Sequence, residues 1–122
     1  MTETVRLSDD ATRILVCSEG APSLGEMKRT LAKIVELGLE HHIDRVLVDS
    51  RARTGQPPIL EIYEGGELLA STLGADIRVA ILVGEVAAGH TFFENVAFNR
   101  GSTVAYFQDH EEALDWLARD AE

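Results

Sequence analysis

Arg45-Val46-Leu47-Val48-Asp49 sets three aliphatic side chains in a row between an arginine and an aspartate. A strand with one wet face alternates apolar and polar residues, whereas a short continuous apolar run suits a strand covered on both faces, as in a parallel sheet. Ile77 to Val83 repeats the pattern and contains the longest apolar run of the chain, Val79-Ala80-Ile81-Leu82-Val83. Two such runs with a helical segment between them predict parallel strands joined by right-handed crossovers.

The flanks extend this reading. Upstream, Ser23 and Glu26 have the spacing of a capping box. Leu24, Met27, Leu31, Ile34 and Val35 follow at helical intervals, which predicts a helix ending near Gly38 to His42. Before it, Thr4 to Leu7 and Arg13 to Cys17 predict a hairpin, with Ser8-Asp9-Asp10 as its turn and Glu19-Gly20-Ala21-Pro22 as the following break. Downstream, Arg51 to Pro58 predicts a loop marked by Thr54-Gly55 and Pro57-Pro58. Pro58 suits a first helical turn, and Ile59, Leu60, Tyr63, Leu68 and Leu69 predict the helix that follows. Gly65-Gly66 sit in its middle, each costing about 1 kcal/mol relative to alanine.

Ala87 to Asn99 predicts a third helix closed by Arg100-Gly101, the glycine supplying a left-handed cap. Thr103 to Phe107 predicts the last strand, and Asp109 with Glu112 caps a final helix bearing Ala113, Leu114, Trp116 and Leu117 on its inner face. The order is β-β-α-β-α-β-α-β-α, an α/β domain with a mixed, mostly parallel sheet and an antiparallel edge. No linker, repeat or low-complexity tract divides residues 1–122, which read as one domain.

The chain carries 21 acidic and 11 basic residues, a net charge of −10. That balance repels nucleic acid and anionic lipid, and basic groups such as Arg51 and Arg53 form no strong cluster. A single cysteine, Cys17, excludes an internal disulfide and a thiolate metal cluster and fits a reducing compartment. The N-terminal stretch has acid and no apolar signal region, and no run is long enough to span a bilayer, so a cytoplasmic protein is expected. His41-His42 are adjacent on a helix and diverge, which gives no metal site; a cation is simply favoured near a helix C-terminus. No cofactor motif is present.

Three stretches bear a resemblance. Val46-Leu47-Val48-Asp49 is followed by a helix carrying Glu61-Ile62-Tyr63-Glu64. Phe92-Phe93-Glu94-Asn95-Val96-Ala97-Phe98-Asn99-Arg100-Gly101 is the second, and Phe107-Gln108-Asp109-His110-Glu111-Glu112-Ala113-Leu114-Asp115-Trp116-Leu117 the third. Together they resemble the SpoIIAA-like group of small bacterial STAS/SEC14-type proteins. The resemblance implies a STAS-like mixed sheet with helices packed mainly on one face. It also implies a switch, because the best-known relatives bind a partner kinase that phosphorylates a serine in an Asp-Ser-x-Gly loop. Asp49-Ser50-Arg51-Ala52 keeps the first two letters and lacks the glycine. The nearest hydroxyl at the expected loop position is Thr54, with Arg51 and Arg53 as its candidate phosphate partners.

Ligands of parallel sheets gather at the carboxyl ends of the strands. That edge is expected to collect Asp49, Ser50 and Arg51, then Glu85 and His90, then Asp109. An acid, a hydroxyl and an imidazole are the parts of a nucleophile–base pair, but no nucleophile elbow, zinc motif or phosphate loop accompanies them. Phe92, Phe93, Tyr63, Tyr106 and Trp116 are candidates for core packing or for the wall of a pocket, and Gly65-Gly66 would let a ligand or a neighbouring helix approach the backbone.

Three functions are therefore carried forward. The first is a non-enzymatic regulatory module binding a protein partner or forming a homodimer, through its first strand and the loop of residues 51–58. Asp49, Ser50, Arg51, Arg53, Thr54, Tyr63, Glu85 and His90 are its binding or switch candidates. The second is a carrier of a small molecule or lipid in a pocket beneath Pro58 to Leu73, which requires a sizeable apolar cavity. The third is an enzyme using Asp49, Glu85 or His90, which requires titratable groups with perturbed pKa values in a cleft.

Overall fold

The two apolar runs lie side by side at the centre of a five-stranded sheet. A computed structural model describes residues 2–21, 23–55 and 57–119; Pro22 and Gln56, within the predicted break and loop, fall outside them. The elements are β1 (Thr2–Leu7), β2 (Ile14–Gly20), α1 (Leu24–His41), β3 (Arg45–Arg53), α2 (Ile59–Leu73), β4 (Arg78–Leu82), α3 (Ala88–Asn99), β5 (Thr103–Phe107) and α4 (His110–Ala118). Strand order follows chain order, β1-β2-β3-β4-β5. β1 pairs antiparallel with β2, and every later pair is parallel.

Each crossover from β2 to β5 moves one strand in the same direction. Right-handed connections then place α1, α2 and α3 on one face of the sheet, and α4 turns onto the other. The alternation along the strands divides the core accordingly. Val46, Val79 and Val104 join Leu31, Ile34, Leu69 and Ala97 beneath the three helices. Leu47 and Ala80 face Ala113 and Leu117 of α4. This double cover is why Arg45 to Asp49 reads as a continuous apolar run.

The helix ends follow from capping chemistry. Ser23 Oγ accepts from the Glu26 amide at 3.3 Å. Glu26 does not return the bond; its Oε1 is buried without a partner among the described residues. One half of the expected capping box therefore forms. Gly101 takes φ +95°, the left-handed turn that closes α3.

One boundary differs in a way that shapes the site. β3 runs on to Arg53, where a loop from Arg51 is expected, because β2 also extends to Gly20 and pairs with it. The register passes from Cys17↔Asp49 to Glu19↔Ala52, so Ser50 and Arg51 together oppose the single residue Ser18. Such a bulge, rare in parallel pairs, reverses the facing of the side chains beyond it. Arg51 stays on the α4 face with Asp49, and Arg53 turns to the face of the three helices.

Candidate functional site

In a parallel sheet the helix following each strand begins at that strand's carboxyl end. The starts of α1, α2 and α3 therefore ring one opening, and beneath it lies a cavity of about 780 Å³. Val79, Ile81 and Val83 of β4 and its exit form the floor. Met27, Leu31 and Ile34 line the α1 side, Ile62, Gly65 and Leu69 the α2 side, and His90 and Phe93 the α3 side. That volume suits a small organic ligand, for which pockets of about 300–1,000 Å³ are usual.

The double glycine has two separate duties. A Cβ on Gly66 would stand 2.9 Å from Val96 Cγ1 and 3.2 Å from the Phe93 carbonyl, so Gly66 lets α2 and α3 touch. A Cβ on Gly65 would meet Phe93 Cε2 at 3.2 Å and Met27 Sδ at 3.4 Å, two side chains of the cavity wall.

One polar corner is built around Glu3. Its carboxylate accepts from Ser18 Oγ at 2.7 Å and from the Thr30 hydroxyl, and it forms an ion pair with Arg53. Arg53 Nη1 also donates to the Ala21 carbonyl at 3.2 Å. The carboxylate is thus satisfied from β2, α1 and β3 together, as a buried charge requires.

The opposite wall carries His90 stacked on Tyr106, ring centroids 4.8 Å apart and planes 24° from parallel. Phe93 meets Tyr106 edge-on at 6.3 Å. The amide of Ala87, the residue before α3, donates to His90 Nδ1 at 3.0 Å. Alanine has no capping oxygen, so the imidazole caps the helix instead, and the neutral ring carries its proton on Nε2. Burial pushes the His90 pKa below its usual range. Burial, aided by the Glu94 carboxylate, pushes the Tyr106 phenol well above its usual range.

No protein-family model matches the chain, and no curated protein matches it. A solved structure does: the crystal structure of an uncharacterized protein of the DUF3478 family, with a SpoIIAA-like fold, from Shewanella loihica PV-4. It superposes with a TM-score of 0.59 at 18% identity, covering 96% of this chain and 93% of that one. The fold is SpoIIAA-like.

Within this SpoIIAA-like fold the candidate residues separate into two groups. Ser50, Arg51, Arg53, Glu85 and His90 line the cavity or its mouth. Asp49 lies across the sheet, where Arg51 Nε and Nη2 donate to its two oxygens at 3.0 and 2.8 Å. Those bonds hold the Asp49 carboxyl below its usual range, against an opposing contribution from burial. Asp109 caps α4 by accepting from the Glu111 amide at 3.1 Å. Asp49 and His90 therefore do not share a site.

Thr54 is exposed outside the cavity, its amide bonded to the Gly20 carbonyl at 3.0 Å. Tyr63 also stands apart, its hydroxyl accepting from Arg100 Nη2 at 2.7 Å. Of the aromatic candidates Phe93 and Tyr106 line the cavity, whereas Trp116 packs on Phe107 beneath α4. Glu3, Ser18 and Thr30 escape a motif search. Two of them carry a signal of parity: Ser18 continues the inward series Ile14, Val16, and Glu3 continues Val5, Leu7.

Among the described residues, no helix is long and apolar enough to cross a membrane, and no three His, Cys, Asp or Glu side chains gather to hold a metal ion.

Proposed function

We propose that this chain binds a small, largely apolar molecule between its three-helix face and the sheet. The cavity of about 780 Å³, walled by aliphatic and aromatic side chains and opening among three helix starts, carries this reading. Isothermal titration with apolar compounds, paired with the variant Ile62→Trp, tests it. A ligand that binds the native protein and loses at least about tenfold in affinity for the filled variant supports it. Ligand-saturated protein gains about 2.7 kcal/mol of stability at a hundredfold excess over Kd. Absence of any such stabilisation across an apolar series counts against it.

A second reading, a regulatory module that docks on a protein partner or a second copy, draws on a different observation. Ile59 and Leu60, the first two residues of α2, are 70% and 65% exposed beside the mouth of the cavity. Mass measurement by light scattering, repeated on Ile59→Ser/Leu60→Ser, tests self-association. Loss of a dimer in the variant favours this reading, and a monomer throughout removes the homodimer. Catalysis has less support, because Asp49 lies across the sheet from His90 and no hydroxyl or thiol among the described residues is hydrogen-bonded to that imidazole.

A further inference from the structure

His90 and Tyr106 pose a question that cavity walls rarely pose. Both line the cavity, and each has a polar atom for which the described residues provide no hydrogen bond. His90 Nδ1 is occupied by the Ala87 amide, which leaves Nε2–H as a donor. The Tyr106 hydroxyl is likewise without a partner, although the backbone amide of the same residue is tied to Glu94 at 3.1 Å. Among the described residues, the polar side-chain atoms sealed in protein without a partner are Arg13 Nε, Glu26 Oε1 and Ser102 Oγ. His90 Nε2 and Tyr106 Oη are not among them, so both keep some accessibility, and both residues line the cavity. The stack holds the two ring centroids 4.8 Å apart, which sets the imidazole and the phenol side by side on one wall. A ligand that covered these two groups without bonding them would forfeit about 1–3 kcal/mol for each, so the wall favours an occupant that meets them.

The surrounding charges decide what that occupant presents. Arg53 is matched by Glu3 and Arg51 by Asp49, so neither of these cations is free for an anion. The Glu94 carboxylate adjoins Tyr106, and Glu61 and Glu85 stand at the cavity's edge. An ionised acid entering here would lose its hydration, find no unpaired cation and face a carboxylate. A group that only donates would meet the Nε2–H head-on. A neutral oxygen acceptor meets both requirements.

We propose that the His90–Tyr106 pair is the recognition element for a neutral carbonyl oxygen, as in a ketone, ester or amide, carried by an otherwise apolar ligand. This deepens the binding function proposed above and rests on it. The apolar body lies against Leu31, Ile34 and Leu69, and the carbonyl takes hydrogen bonds from Nε2 and from the phenol.

The test uses three compounds of similar shape: 4-phenyl-2-butanone, 3-phenylpropanoic acid and n-butylbenzene. Each is titrated at pH 8 into the full chain and into Tyr106→Phe, with Kd read from amide chemical shifts. The phenylalanine variant keeps the ring stack and removes one donor. The ketone is expected to bind at least about tenfold more tightly than the acid, and to lose about 2–10-fold in Tyr106→Phe, the range of one net hydrogen bond. Butylbenzene is expected to change less than about twofold. The His90 Nε2 resonance should move with the ketone and stay with butylbenzene, a readout that stands even if the variant does not fold. Equal affinity for acid and ketone, or an unmoved His90 Nε2 resonance, overturns the carbonyl assignment while butylbenzene binding keeps the cavity function. Failure of all three compounds to bind removes both.

Discussion

Glu3 and Arg53 form an ion pair although their strands, β1 and β3, are not neighbours. The contact passes over Ser18 of β2, which donates to the same carboxylate. It depends on the bulge opposite Ser18, since without that extra residue Arg53 would face α4. With side chains 8% and 19% exposed, the pair is mostly removed from water. Glu3→Gln should cost about 2 kcal/mol in urea unfolding, somewhat less than the roughly 3–5 of a fully buried pair. Glu3→Gln/Arg53→Met should recover part of the loss. Equal stability of Glu3→Gln and the native chain would show that β1 is held by its ladder alone.

Adjacent glycines on α2 should respond differently to alanine. Gly66→Ala drives a Cβ into Val96 and the Phe93 carbonyl, and overpacking of this kind costs about 1–3 kcal/mol, enough to outweigh the roughly 1 kcal/mol gained in helix propensity. Gly65→Ala meets only movable side-chain ends of Phe93 and Met27. Its stability should stay within about 1 kcal/mol of native, and apolar ligand affinity should fall as the wall moves inward. Thermal unfolding of both, with one ligand titration, separates them.

Two arginines fasten α4 to the sheet. Arg45 Nε donates to the Leu117 carbonyl at 2.7 Å, and Arg78 Nη1 to the Trp116 carbonyl at 2.9 Å. The Arg78 guanidinium also lies 5.0 Å from the Trp116 ring centroid. These cations satisfy the last carbonyls of the helix, where its dipole favours positive charge. Arg78→Ala should destabilise by about 1–2 kcal/mol, a charged hydrogen bond plus a cation–π contact. It should also shift the emission of the single tryptophan to the red; unchanged emission would mean that α4 stays docked without it.

Stability should depend on pH in two windows. The folded-state pKa of His90 is depressed by burial, so the unfolded chain binds that proton more readily. Stability is then whole above about pH 6.5 and declines as pH falls through that value. His90→Gln, which can still accept from the Ala87 amide, should remove this slope. Asp10 is held at about 2, from 3.8, by Thr12 and Ser8 hydrogen bonds. Its contribution is present above pH 3.8 and lost as pH falls toward 2. Asp49, held below its usual range by Arg51, adds to the same window, so Asp10→Asn should reduce that second slope and leave the first, as read by unfolding midpoints across pH.

The central strands and their order are legible because continuous apolar runs and helical spacing are local signals, each set by a few consecutive residues. The cavity beneath Pro58 to Leu73 is partly legible, through Gly65 and the aromatic residues of α3. The end of β3 is not. Arg51-Ala52-Arg53 has the composition of a loop, and it is drawn into the sheet only by pairing with Glu19 and Gly20, more than thirty positions earlier. The Glu3 corner is hidden for the same reason: its members come from four elements that only the fold brings together. Asp49 and Ser50 are neighbours in sequence and opposites in space, because a strand sends successive side chains to opposite faces.

The sheet is a partition one residue thick. None of the side chains packed beneath α4 lines the cavity, so a guest on one side has no lever reaching directly to Trp116 on the other. Any message between the two compartments travels through backbone displacement in β3 and β4, or around the rim at Arg51, which borders the cavity and also grips Asp49 on the reverse face. The sheet thus has one wall that lines the cavity and another sealed by α4, with one arginine at the doorpost between them.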